Sequence, residues 1–287
     1  MSRVILLPVT GTPADGPVFQ TALAAGRLFD GHLVGLHVRR DVQRDIAAMA
    51  SADMGLATGL QDVINRMEED SDKLADAAQS GWRNLCAGNA IADATRPGTS
   101  GMTAEWRTEI GDPGDWLAEH GRTCDLIVVG RANDGGIGSD GVIESALMHT
   151  GRPVLLVGGS ADSLAGTIAI AWKDTREAAG AVAAALPFIR RGARVIVFTV
   201  SEDDDDTDKP AERLAGALRW HNPNTEARTI RPNGKSAVEA LLGSVTEAGC
   251  GLLVMGGYGH TRLREAVFGG FTRSVLEHAP LPVLIAH

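Results

Sequence analysis

Two segments of this chain read as copies of each other. Cys124-Asp-Leu-Ile-Val-Val-Gly130 is matched by Cys250-Gly-Leu-Leu-Val-Met-Gly256, and Arg152-Pro-Val-Leu-Leu-Val157 by Leu281-Pro-Val-Leu-Ile-Ala286. Each match is an apolar run ending in glycine, then a glycine-rich loop and a helical pattern, then a second short apolar run. Two copies are too few, and each copy too long, for a solenoid, so this is a tandem duplication of a domain-sized unit. Whatever architecture one half adopts, the other must be able to adopt as well. At 287 residues the chain is long enough for two domains of ordinary size.

The pattern between the repeated segments fixes the fold class. Arg3–Val9 is a continuous apolar run, as in a strand covered on both faces. Apolar residues then recur at helical spacing over Val18–Leu28, and His32–Val38 is the next strand. Residues 41–89 form a long helical insertion, which Gly55 and Gly59 divide. Its apolar side is Ile64, Met67, Leu74, Ala77 and Trp82, and its polar side is acidic (Glu68, Glu69, Asp70, Asp72). Met102–Ile110 alternates as a strand does. Asp112-Pro113 is a cap and first turn for the helix that follows. The strand Cys124–Val129, the loop Arg131–Gly141, the helix Val142–Thr150 and the strand Pro153–Val157 complete a five-stranded α/β unit.

After Gly158-Gly159-Ser160 the pattern restarts. Strands are expected at Thr167–Trp172, Arg194–Val200, Glu226–Ile230, Leu252–Met255 and Val283–Ala286. Helices are expected at Asp174–Ile189 (capped by Asp174 or Thr175), Pro210–Trp220, Ser236–Ala248 and Phe271–Ala279. The boundary therefore falls near residue 160, giving units of 1–160 and 161–287. Trp106 and Trp220 are assigned to the core or to subunit contacts.

Composition removes several function classes. No apolar run reaches the roughly 18 residues of a membrane span, and the apolar N-terminus is read as a buried strand and not a signal peptide. Three cysteines without CxxC or Cys/His spacing argue for a reducing cytoplasm and against a disulfide framework or structural zinc. The net charge of −9 disfavours nucleic acid as a partner. The Glu202–Asp208 run lacks calcium-loop spacing and reads as a solvated loop. No Ser/His/Asp order, paired carboxylates or HExxH spacing appears.

Residues 1–160 carry 21 acidic against 13 basic side chains, whereas residues 161–287 carry 15 and 14. The one locally basic loop follows Gly256, where Arg262, Arg264 and Arg273 outnumber Glu265 and Glu277. A strand feeding a glycine-rich loop that opens a helix is the chemical form of a phosphate cradle: backbone N–H groups converge on the helix N-terminus, and glycines admit an anion close to the chain. In an open parallel sheet such a site lies outside the carboxyl ends of the strands, at the topological switch point.

The spacing Gly256-x2-Gly259-x9-Gly269, with Met-Gly before it and Ala-Pro-Leu-Pro-Val-Leu-Ile closing the chain, resembles the nucleotide-binding signature of the universal stress protein family, G-x2-G-x9-G followed by Ser or Thr. The resemblance covers the chain as a tandem pair. It implies two flavodoxin-like, doubly wound, five-stranded parallel-sheet domains of the adenine nucleotide alpha hydrolase-like class. The last strand of each would pair with the other, giving a pseudo-dimer within one chain, and a homodimer is expected. The implied ligand is ATP or another adenine nucleotide, with Mg2+ as its optional companion, held in the second domain.

By the same resemblance Gly256 and Gly259 would lie along ribose and phosphates, while Gly269, Gly270, Phe271 and Thr272 would receive the phosphates. His260 and Arg262 would supply charge or hydrogen bonds. The sequence departs from the family at Gly270, which replaces Ser or Thr, with Thr272 two residues on. The adenine-contacting Asp is replaced by Thr10 in the first copy and Lys173 in the second, and Lys173 could reach a phosphate instead. The first copy has Asn133 where a glycine is expected, and Gly135, Gly136, Gly138 and Gly141 fall out of register, so its site is expected to be degenerate. Trp172 or Tyr258 could stack on a base.

The expected role is a cytoplasmic stress-response or regulatory nucleotide binder with no catalytic residues and at most slow ATPase activity. The alternatives are a weak ATP hydrolase on the same fold and a nucleotide-free dimerisation scaffold, the latter favoured by the long acidic helices.

Overall fold

The computed structural model describes residues 3–44, 46, 60–96, 101–131, 140–161, 163–201, 210–257 and 270–287. Their strands form one sheet. The first half contributes β1 (Val4–Pro8), β2 (His32–Arg39), the two-residue β3 (Ala92–Asp93), β4 (Thr103–Ile110), β5 (Leu126–Val129) and β6 (Val154–Leu156). The second contributes β7 (Thr167–Ala171), β8 (Arg194–Val200), β9 (Thr225–Ile230), β10 (Cys250–Gly256) and β11 (Val283–Ala286). The order across the sheet is β3-β4-β2-β1-β5-β6-β11-β10-β7-β8-β9.

Within each half every pairing is parallel, and the order reverses beside the half's first strand, β1 or β7, as a doubly wound fold requires. The halves meet where β6 and β11 pair antiparallel, with Leu155 opposite Leu284. Near this junction the Phe29 and Phe188 rings meet edge to face at 4.9 Å, and the Arg3 and Arg191 guanidiniums lie over the Phe29 ring.

Helices cover both faces. On one face lie α1 (Asp15–Phe29), α2 (Leu60–Gly88), α5 (Arg176–Ile189) and α6 (Pro210–Leu218). On the other lie α3 (Pro113–Gly121), α4 (Asp140–His149), α7 (Ala237–Glu247) and α8 (Gly270–His278). Alternation along each strand feeds the two layers: Ile5 and Leu7 join the first cluster, and Leu6 joins the second. Both clusters run through both halves, so the core is continuous across the β6–β11 seam.

Local chemistry sets several boundaries. The Asp112 carboxylate accepts from the Gly114 and Asp115 amides at 2.8 and 3.0 Å, and Pro113 opens the helix. Of the two caps considered for α5, Thr175 is the one used. Ser236 and Glu239 close a capping box on α7.

Trp106 behaves as expected, packing against Trp82 at 5.7 Å and stacking on His37. Trp220 does not reach the core and is 91% exposed. The inward position at the end of α6 belongs to Leu218, and the chain turns outward after it.

On β9 the Glu226 carboxylate is gripped by Arg194 at 2.8 Å and by Arg228 at 2.6 Å, which holds it below the ordinary glutamate value of 4.5. A carboxyl depressed in the folded state adds stability above its unfolded pKa, and that stability is lost as pH falls through the folded value. Melting temperature followed from neutral pH into the acid range should therefore fall less steeply in Glu226→Gln than in the parent. Parallel acid limbs would show that the pair contributes nothing.

Candidate functional site

The second half's switch point lies between β7 and β10, whose successors run to opposite sides of the sheet. Met255 is in register with Ala171, so the chain leaves both strands at one edge, through Gly256-Gly257 on one side and Trp172-Lys173 on the other. Gly256 is fixed there by close packing. A Cβ on it would stand 2.5 Å from the Ala178 nitrogen and 2.7 Å from the Glu177 carbonyl carbon, in the first turn of α5. That turn is set by Thr175, whose Oγ1 accepts from the Ala178 amide. The strand therefore runs directly beneath the start of α5, and only glycine permits it. This role of Gly256 was not visible in the motif, because it joins residues far apart in the chain.

Lys173 is exposed at the same edge. Beside it, Trp172 packs against the core, and its indole N–H is buried without an acceptor among the described residues. A buried donor left unpaired costs on the order of 1–3 kcal/mol, so it marks a place where an acceptor would be stabilising. Across the edge, α8 begins at Gly270, with Gly270 and Phe271 exposed and Thr272 buried. Gly270, Phe271 and Thr272 are the first described residues of α8, and the opening N–H groups of a helix have no partners within it. Gly259, His260, Arg262 and Gly269, like Tyr258, lie outside the described residues. Gly256, Lys173, Gly270, Phe271 and Thr272 lie within them.

The equivalent edge of the first half is built differently. The turn after β1 is closed by the buried Asp15 carboxylate, whose Oδ1 accepts from the Thr10 amide and hydroxyl and whose Oδ2 accepts from the Gly11 amide, each at 2.8 Å. These donors are of the kind an anion would use, and the chain's own anion occupies them. The backbone of α2 lies on the same turn, so that a Cβ on Gly11 would stand 2.1 Å from the Leu74 carbonyl oxygen. Of the first copy's loop, Asn133, Gly135, Gly136 and Gly138 lie outside the described residues, while Gly141 lies in α4.

Comparison with known proteins adds the family. The model of the universal stress protein family matches residues 166–287. The second half is a universal stress protein domain. No curated protein matches the chain. Among solved structures, a universal stress protein from Archaeoglobus fulgidus DSM 4304 superposes with a TM-score of 0.71 at 18% identity, covering 100% of this chain and 96% of that one. A functionally unknown protein from Pseudomonas aeruginosa PAO1 gives 0.55 at 16% identity, with 99% and 92% covered. At these identities the likeness is one of fold, and it spans both halves. The universal stress protein domain thus carries the Gly256 edge, Lys173 and α8, and the half with the sealed turn precedes it.

Other chemistries find little support among the described residues. Burial pushes the Cys124 and Cys250 thiols up to about 11, far from a nucleophilic thiolate at neutral pH. No group of three or more metal-ligating side chains converges among the described residues. No helix among them is long and apolar enough to cross a membrane.

Proposed function

We propose that the universal stress protein domain binds an adenine nucleotide, ATP or a close relative, and that the chain acts as a cytoplasmic stress-response or regulatory module. The observation that carries this reading is the Trp172 indole N–H, buried and without an acceptor among the described residues, at the edge where the Gly256-x2-Gly259-x9-Gly269 spacing begins. Trp172 would donate to an acceptor on the base or ribose. Lys173 would counter phosphate charge in place of a carboxylate that would repel it. The amides opening α8 would take the terminal phosphates, with His260 and Arg262 contributing from the loop. Mg2+ would enter with the polyphosphate, supplying counter-charge. The first half, with its turn sealed by Asp15, serves as the structural partner of a pseudo-dimer built on the β6–β11 seam. Each half is then one domain, divided near residue 160, and the whole chain forms a homodimer.

Mass spectrometry of the denatured, freshly purified protein is expected to release an adenine nucleotide. The stripped protein should gain thermal stability on adding ATP with Mg2+, since a ligand that binds only the folded state raises its stability. Failure of both would leave the scaffold reading. That alternative has its own observation in the long helix α2, which exposes Val63 and Leu74. Steady-state turnover that His260→Ala abolishes would instead make the protein a slow ATPase.

A further inference from the structure

The first half holds a cavity of about 470 Å³ on the sheet face covered by α3, at the amino ends of its strands and so opposite the edge discussed above. The size is that of a small-molecule pocket. Its floor is apolar: Val4, Leu6, Val34 and Cys124. Its wall is a linked set of ionisable groups. Arg107 donates to Glu105 through Nε at 2.8 Å and, through Nη1, to His120 Nδ1 at 3.0 Å. His120 in turn faces Glu109 through Nε2 at 3.0 Å. His32 bonds the Thr103 hydroxyl at 2.8 Å, with its Nε2 3.6 Å from Glu105.

The duplication supplies an internal comparison. Glu226 and Arg228 on β9 stand where Glu105 and Arg107 stand on β4, each pair facing corresponding residues of the second strand. In the second half Arg194 opens β8 and holds Glu226 at 2.8 Å. In the first half His32 opens β2, a shorter side chain that stops 3.6 Å from Glu105. The exchange shortens the side chain that reaches across the wall.

The charge around the cavity is also unusual for this half. Glu105 is paired with Arg107 and Glu109 faces His120, while Arg96, at the mouth, is exposed and makes no ion pair among the described residues. In a half where acids outnumber bases, Arg96 stands exposed beside an apolar floor, while the carboxylates of the wall are turned to Arg107 and His120.

We infer that this cavity is a second ligand site, for a small organic carboxylate whose apolar body lies on Val4, Leu6 and Val34 and whose carboxylate meets Arg96 at the mouth. The site is independent of the nucleotide reading, since it uses the other half and the other end of the strands.

The test uses the full-length protein, with benzoate and hexanoate as probes and benzamide and benzylamine as neutral and cationic controls. The imidazole C–H signals of His32 and His120, assigned by His32→Gln and His120→Gln, are followed by NMR. Both carboxylates should shift these signals saturably, and the controls should bind roughly tenfold or more weakly, the scale of one charge-assisted hydrogen bond. Arg96→Glu, at an exposed position without an ion-pair partner among the described residues, should melt as the parent does and lose carboxylate affinity by a similar factor. Absence of saturable shifts with both carboxylates, benzamide binding as tightly as benzoate, or unchanged affinity in Arg96→Glu would each overturn the site.

Discussion

Gly11→Ala is expected to lower the unfolding free energy by about 2–3 kcal/mol, read as a fall in the urea midpoint at constant slope. Two costs coincide at this residue. Its φ of +80° lies in the region that side chains disfavour, and its Cβ would stand 2.1 Å from the Leu74 carbonyl oxygen. The colliding atom belongs to the backbone of a helix, so no rotamer change relieves it. Relief requires α2 to lift, and α2 is anchored in the core by Ala78, Trp82 and Leu85. Gly180→Ala is the control. It lies within α5 with no atom of the described residues within 4 Å of its Cβ position, and alanine there should stabilise by up to about 1 kcal/mol. Equal midpoints for Gly11→Ala and the parent would mean that α2 does not rest on this turn.

Residues that act locally could be read from the chain. Arg194–Val200 and Val283–Ala286 are apolar runs bounded by polar or turn residues, and the strands begin and end there. Asp112-Pro113 announces a helix because the cap and the first turn are neighbours in sequence. The doubly wound order follows from alternating strands and helices once the duplication is recognised. Contacts that join distant residues had no comparable signal. Nothing near Gly11 in sequence indicates that Leu74 covers it, and nothing near Gly256 indicates that Ala178 does. Of the two places open to Trp220, core or subunit contact, its exposure removes the core, since hydrophobicity alone does not say on which side of a helix end a side chain emerges. One signal was available and missed. Thr10-Gly11 followed by Asp15 places a carboxylate one helical turn from two backbone donors, the arrangement that seals the first half's turn. At the candidate site the glycine spacing was legible, but it could not separate a glycine needed for a ligand from one needed for packing.

Gly270→Asp makes that separation by experiment. No atom of the described residues lies within 4 Å of the position its Cβ would take, and the residue is the first of α8. An acidic side chain in the first turn of a helix is favourable by roughly 0.3–1 kcal/mol, so the variant should melt at or slightly above the parent temperature. If the α8 amides receive phosphate, the same carboxylate stands beside the anion and competes for its donors. ATP affinity measured by calorimetry should then fall by roughly tenfold to a hundredfold, the scale of a lost charge-assisted hydrogen bond with like-charge repulsion added. The two readouts move in opposite directions, which a general loss of fold cannot produce. Gly256→Ala, by contrast, drives a methyl group into α5 and should lower stability and affinity together. ATP affinity unchanged in Gly270→Asp would remove α8 from the phosphate site and leave Trp172 and Lys173 to bind some other ligand.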